Sequence, residues 1–283
     1  MANYDRPYTA MPEEAPAQSR KWPLFGVMII DLVLIAIVVF ASMLVLSVVF
    51  VGVRAAQQGI DLQRDLTQAQ LLRLLGSDGA FVILLVQNAI FAAVPILRVA
   101  VIRREPLAEI GFQAPRPLKL LSFGVGLGAL ALIVNVLFSI LFELAGIRQN
   151  QAEQYPLFRG DYLGQGLFLI GAALLAPLGE EVLFRGYVFN AIRQTFQERR
   201  WAVPAAYIFS AVLFMGAHSL SATQGLLGLL IPAFLVGLLL AWGMHRTGSL
   251  IPSLIAHMMN NGFAIVGLLA CINDPSITGC PQL

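Results

Sequence analysis

Glu180 and Glu181 stand side by side in the string GEEVLFRG, four residues ahead of Arg185. Phe214 and His218 close the string FMGAH, and His257, Asn260 and Asn261 fall in AHMMNN. The chain has three histidines, and two of them belong to these strings. Glu181 and Arg185 at i,i+4 share one helix face and can pair. Glu180 is rotated by about 100° from its neighbour on an α-helix, which leaves it able to face a different partner. Phe214 and His218 share a face, and so do His257 and Asn261. The chemistry suited to this set is activation of water. A carboxylate enclosed by apolar side chains becomes a competent base near neutral pH. A histidine beside it can hold the same water, and a second histidine with an asparagine can donate to a developing oxyanion. These are the parts of an amide hydrolase that forms no covalent intermediate. No G-x-S-x-G elbow, no reactive cysteine and no H-E-x-x-H accompanies them.

All these residues lie in strongly apolar surroundings. Of 283 residues 58% are apolar and 12% charged, with a mean hydropathy of +0.78. Soluble domains carry roughly a quarter charged residues, and several uncharged runs here reach the ~20 residues that cross a bilayer. The net charge of +2 is too small for nucleic-acid binding. The expected fold is an all-α, polytopic transmembrane helix bundle of about seven spans.

The chain divides into a polar tail and a membrane domain. Residues 1–21 are rich in Pro, Ala and Glu and read as a disordered cytoplasmic tail. The membrane domain is 22–283, with N-terminal helices over 22–97. The first span runs from Trp22 to Val53. Residues 54–79 place Leu62, Leu66, Ala69, Leu72 and Leu75 at helical spacing among charges, which suits a helix on the membrane surface or a partly helical loop. Further spans are expected at 80–102, 120–145, 165–192, 203–219, 226–244 and 249–270, with Pro177 able to break the fourth. Twelve Lys and Arg residues collect on one side of such a bundle and five on the other. That bias puts the N-terminus in the cytoplasm and the C-terminus outside.

Ionisable groups inside spans cost ~2.5–3.5 kcal/mol each on insertion scales and mark function by default. At ~1.5 Å per residue, Glu180, His218, His257 and Asn261 lie about 20, 22, 12 and 18 Å from one membrane face, so three spans bring them to similar depths. Gln87, Asn88 and Asn135 read as helix-to-helix glue. Asp31 and Glu143 lie near span ends, within reach of headgroups. Cys271 and Cys280 flank turn-forming residues beyond the last span. The turn can bring their Cα atoms within the ~4.4–6.8 Å that a disulfide needs, and an oxidising compartment lets the bond persist.

The three strings together resemble the CPBP family, the CAAX proteases and bacteriocin-processing proteins, which include the type II CAAX prenyl endopeptidases. The pattern EExxxR, FxxxH, HxxxN stands here as Glu180-Glu181-Val-Leu-Phe-Arg185, Phe214-Met-Gly-Ala-His218 and His257-Met-Met-Asn260-Asn261. The upstream string REPLAEIGF, Arg104 to Phe112, is similar to a segment often found before the family's core, which would occupy 98–268. The resemblance implies a glutamate-dependent intramembrane endopeptidase of the cell (inner) membrane, acting on membrane-embedded or lipid-modified protein. By motif position Glu180 would be the general base, and His218 would help hold the water. His257 and Asn261 would form the oxyanion hole, with Glu181 and Arg185 bracing the site. No cofactor is implied. Two alternatives use the same residues: a zinc peptidase with Glu180, His218 and His257 as ligands, or a non-enzymatic transporter or scaffold with a buried carboxylate relay.

Overall fold

The computed structural model describes residues 24–62, 66–147, 155–219, 226–274, 276, 277 and 280. Among them the chain forms helices and no strand. In order these are α1 (Leu24–Gln58), α2 (Gln68–Ile96), α3 (Pro117–Leu144), α4 (Tyr162–Ile170), α5 (Ala176–Glu180), α6 (Asn190–Thr195), α7 (Ala202–His218), α8 (Leu226–Thr247) and α9 (Ile251–Asn273). α2 runs on as a π-helical segment, Leu97–Ile102, and a short 3₁₀ turn follows at Leu107–Ile110. Two more π-helical segments, Gly171–Leu175 and Glu181–Phe189, join α4, α5 and α6 into one continuous rod.

Six of these units are long and apolar enough to cross a membrane: Leu24–Gln58, Gln68–Ile102, Pro117–Leu144, Tyr162–Thr195, Leu226–Thr247 and Ile251–Asn273. α7, with 17 residues, is a shorter apolar seventh. The chain is therefore a multi-pass membrane protein of the expected all-α class. Lipid-facing side chains such as Phe40 and Leu118 stay exposed in the bundle, where hydrocarbon covers them.

The local structure departs from the sequence reading in three places, and one expectation falls elsewhere: residues 1–21 lie outside the described residues. The region 54–79 is not a separate surface helix. Its first part extends α1 to Gln58, and its last part begins α2 at Gln68 behind a capping box of Thr67 and Gln70. Two turns later α2 bends at Gly76, whose φ of 67° is readily adopted only without a Cβ. Arg54 holds the bend by donating to the carbonyls of Leu74 and Leu75 and pairing with Asp78. The second departure is at Pro177, which does not break the fourth span. It stands in the α5 part of the rod, directly after a π-helical segment, and the rod runs on through it.

Asp31 is the third. It is not at the headgroups but 1% exposed. Arg98 donates to it from Nε at 2.8 Å and Nη2 at 2.5 Å, and Tyr187 donates its hydroxyl at 2.5 Å. This cluster ties α1 and α2 to the central rod.

Within the most apolar window of the rod Tyr162–Thr195, 61% of residues are buried, against 11–39% in the other five long spans. It is the centre of the bundle. α9 is set against α3 by close backbone approach. A Cβ on Gly124 would come within 3.0 Å of Pro252 Cα, and one on Gly128 within 3.2 Å of Ala256 Cα. Small residues at such contacts are how membrane helices gain packing without a hydrophobic driving force. The contact fixes the depth of α9 and so of His257.

Candidate active site

The central rod carries Glu180 at the last residue of α5 and Glu181 at the first residue of the following π-helical segment. A π turn closes i to i+5 hydrogen bonds, is wider than an α turn, and recurs at functional sites. Glu180 and Glu181 themselves keep α-helical backbone angles, φ −67°, ψ −41° and φ −66°, ψ −38°. They face the two nitrogens of one imidazole from α9, and Glu181 bonds it. Glu181 Oε1 lies 2.8 Å from His257 Nδ1, and Glu180 Oε2 lies 3.7 Å from His257 Nε2.

Glu181 Oε1 also accepts from Arg185 Nη1 at 2.9 Å, the i,i+4 pair that the spacing predicts. Arg185 is fully buried and Glu181 1% exposed. The guanidinium carbon sits 4.1 Å from the centroid of the Phe214 ring, a cation–π distance, and Arg185 Nη2 reaches the Gly237 carbonyl at 3.4 Å. Phe214 is a hub. Its ring centroid is 5.3 Å from that of His257 and 4.5 Å from that of His218.

Glu180, Glu181, Arg185 and His257 thus form one buried cluster. His218 joins it through the Phe214 ring, with Nδ1 engaged by the Phe214 carbonyl at 2.8 Å. Asn261 stands one turn beyond His257 on α9. Its amide nitrogen donates to the Ala172 carbonyl at 3.0 Å, on the rod ahead of Glu180. Asn260, on the neighbouring face, accepts from Asn135 Nδ2 at 2.5 Å, so Asn135 does link α3 to α9 as the sequence suggests. Asn88 instead donates to Leu84 of its own helix.

Four buried atoms of the cluster have no hydrogen-bond partner, Glu180 Oε2, His257 Nε2, Glu181 Oε2 and Arg185 Nε, and the first two face each other. Leaving such atoms unpaired costs ~1–3 kcal/mol each, and unpaired polar atoms held face to face are what a site for a polar reactant requires. At 3.7 Å the two are too far apart to bond each other. A water about 2.8 Å from both would sit about 2 Å to one side of the line between them. Beside the cluster an apolar cavity of about 360 Å³ reaches Glu181, lined in part by Gly111, Phe112, Leu178, Val182, Leu250 and Leu254.

Among the described residues no three His, Cys, Asp or Glu side chains are grouped so as to hold a metal ion.

The spacing does not reveal that the Phe214 ring is shared by Arg185, His218 and His257, or that Asp31 and Tyr187 meet at the rod. Their signal is weak because each is an ordinary residue type until the helices are packed.

Cys271, in the last turn of α9, and Cys280 beyond it are joined by a disulfide, with Cα atoms 5.4 Å apart. Next to it Ser276 donates its hydroxyl and its backbone N–H to Asp274, which holds that carboxyl below the usual range.

Residues 163–263 match the family model of Rce1-like type II CAAX prenyl endopeptidases, a segment that contains Glu180, Glu181, Arg185, Phe214, His218, His257 and Asn261. The resemblance read from the three motifs holds over that segment, and the REPLAEIGF string lies outside it. A 24.3 kDa uncharacterized protein of Escherichia coli is 37% identical over 92 residues, which cover 32% of this chain and 40% of that protein. UPF0177 protein YxdF of Lactococcus lactis subsp. lactis is 26% identical over 151 residues, 52% of this chain and 76% of that protein. No solved structure matches the chain.

Proposed function

We propose that this multi-pass protein, whose residues 163–263 match the Rce1-like endopeptidase model, is an intramembrane endopeptidase. It hydrolyses a peptide bond of a membrane-associated or lipid-modified protein, with Glu180 as general base. The observation that carries the reading is the facing pair of unpartnered buried atoms, Glu180 Oε2 and His257 Nε2, 3.7 Å apart.

The chemistry follows from the cluster. The bond between His257 Nδ1 and Glu181 Oε1 fixes the ring with Nε2 facing the site. Water held by Glu180, with His218 Nε2 assisting, attacks the scissile carbonyl carbon, and Glu180 takes its proton. The tetrahedral oxyanion receives hydrogen bonds from His257 Nε2 and from the second N–H of Asn261. As the C–N bond breaks, the proton passes from Glu180 to the leaving nitrogen. Arg185 holds Glu181 charged and in place. The apolar cavity beside Glu181 accepts apolar flanking groups of the substrate. Residues 98–268 act as the catalytic core, docked on the helices of 22–97, in the cell membrane with the N-terminus in the cytoplasm.

The test is the isosteric variant Glu180→Gln, which keeps the shape and loses the base. New protein termini are compared by mass spectrometry in membranes carrying wild-type or variant protein at equal level. Termini present with wild type and absent with Glu180→Gln are expected. An identical set in both sinks the general-base assignment.

A further inference from the structure

Asn261 can donate to an oxyanion only if the plane of its amide is fixed. Nδ2 carries two hydrogens, and one goes to the Ala172 carbonyl at 3.0 Å. That bond alone lets the group pivot about the N–H···O line, and the second hydrogen then has no set direction. A contact on Oδ1 is what fixes the plane. Amide oxygen and nitrogen have nearly the same shape, so only partners of the right polarity can tell them apart.

Such partners are present. Asn260 Nδ2 donates to Asn261 Oδ1 at 3.5 Å, the longest link of the series. Asn260 Oδ1 accepts from Asn135 Nδ2 at 2.5 Å, and Asn135 Nδ2 also donates to the Ala131 carbonyl of its own helix at 3.3 Å. Three side-chain amides thus run from α3 through α9 to the rod. Both ends of the chain are backbone carbonyls, at Ala131 and Ala172, which accept and never donate. The direction of every amide between them is therefore set. Turning any one of the three round would bring oxygen against oxygen, and hydrocarbon offers no water to relieve the clash.

Packing puts Asn135 within reach. Gly124 and Gly128 let α3 close on Pro252 and Ala256 of α9, and Asn260 follows Ala256 by one turn. Asn260 occupies a position that the pattern HxxxN leaves open, and Asn135 lies outside the matched segment 163–263.

We propose that Asn135 and Asn260 are positioning residues for the reaction, which fix the plane of the Asn261 amide so that its second N–H points at the oxyanion. The proposal rests on the reading of Asn261 as an oxyanion donor. Donation to Oδ1 also polarises the amide and strengthens its remaining N–H. A contact that only joined two helices would act otherwise: its loss would add to the loss caused by Asn261→Ala.

The experiment takes two readouts on the full chain. One is the rate at which wild-type-dependent protein termini appear in membranes at equal protein level, followed by mass spectrometry. The other is the side-chain amide signal of Asn261 in the magnetic resonance spectrum of asparagine-labelled protein, assigned by its loss in Asn261→Ala. Asn135→Leu is the informative variant, because its printed side-chain contacts reach Asn261 only through Asn260. It is expected to shift the Asn261 signal and to lower the rate about fivefold, the worth of one net hydrogen bond. Asn260→Ala lowers the rate by a similar factor. In the Asn261→Ala background neither variant lowers it further. Asn273→Ala controls for a loosened α9. It breaks the pair of that helix with Gln165, Nδ2 to Oε1 at 2.8 Å, and leaves signal and rate unchanged. Size exclusion confirms folding, and if Asn135→Leu does not fold, Asn135→Ala takes its place. An unmoved Asn261 signal or an unchanged rate in the folded Asn135 variant overturns the proposal. A further loss in the double variants overturns it too, as does a loss in Asn273→Ala equal to that in Asn260→Ala. Failure of the peptidase reading looks different: wild type then yields the same termini as Glu180→Gln, while a shifted Asn261 signal in the Asn135 variant still upholds the orienting chain.

Discussion

Replacing Arg185 with Leu removes the guanidinium that offsets the buried carboxylates. Glu181 then keeps one partner, His257, in a site where the carboxylate is 1% exposed. Breaking a buried pair by deleting one member costs ~3–5 kcal/mol, because the other charge is stranded. The contact of the guanidinium with Phe214 at 4.1 Å is lost too, worth up to about 2 kcal/mol when desolvated. The lower figure for the pair alone corresponds to roughly 10² in the folding equilibrium, since each ~1.4 kcal/mol is tenfold. The assay is thermal and denaturant unfolding of purified protein in one detergent, for wild type, Arg185→Leu, Glu181→Gln and the double variant. Arg185→Leu is expected to be the least stable of the four. The double variant should recover part of the loss, because the neutral amide that replaces the Glu181 carboxylate no longer needs a cation, giving a coupling of at least about 1 kcal/mol. Strictly additive costs would refute the stranded-charge argument. Equal stability of Arg185→Leu and Glu180→Gln would do the same, since the bond of Arg185 in the cluster is to Glu181.

Asn261→Ala is expected to lower kcat by about 10²–10³ with KM little changed, the usual cost of one oxyanion donor. A rise in KM at constant kcat makes it a binding residue instead. Cys271 and Cys280 should resist a membrane-impermeant maleimide on intact cells until reductant is added. Labelling without reductant excludes the bond in cells, and labelling only after the cytoplasmic face is opened reverses the proposed orientation. With Glu180→Gln, these are the variants and reagents that bear on the site, its orientation and its bracing.

The bundle is legible in the sequence because bilayer thickness converts composition directly into spans, and six of the seven units satisfy that rule by length and hydropathy. The pairing of Glu181 with Arg185 is legible for the same kind of reason: helical periodicity puts i and i+4 on one face. What stays hidden depends on how the helices pack. Periodicity assigns Glu180 and Glu181 to faces about 100° apart, and the imidazole of His257 lies between them, 2.8 Å from Glu181 and 3.7 Å from Glu180. Pro177 reads as a possible break, but it stands in the α5 part of the rod directly behind a π-helical segment, and the rod continues. Asp31 reads as interfacial because depth along one helix says nothing of its neighbours; Arg98 and Tyr187 come from two other elements. These points share one cause. Each contact joins residues far apart in the chain, and which helix faces which is decided by packing, through close approaches such as those of Gly124 and Gly128 to α9, and not by the periodicity of any one segment.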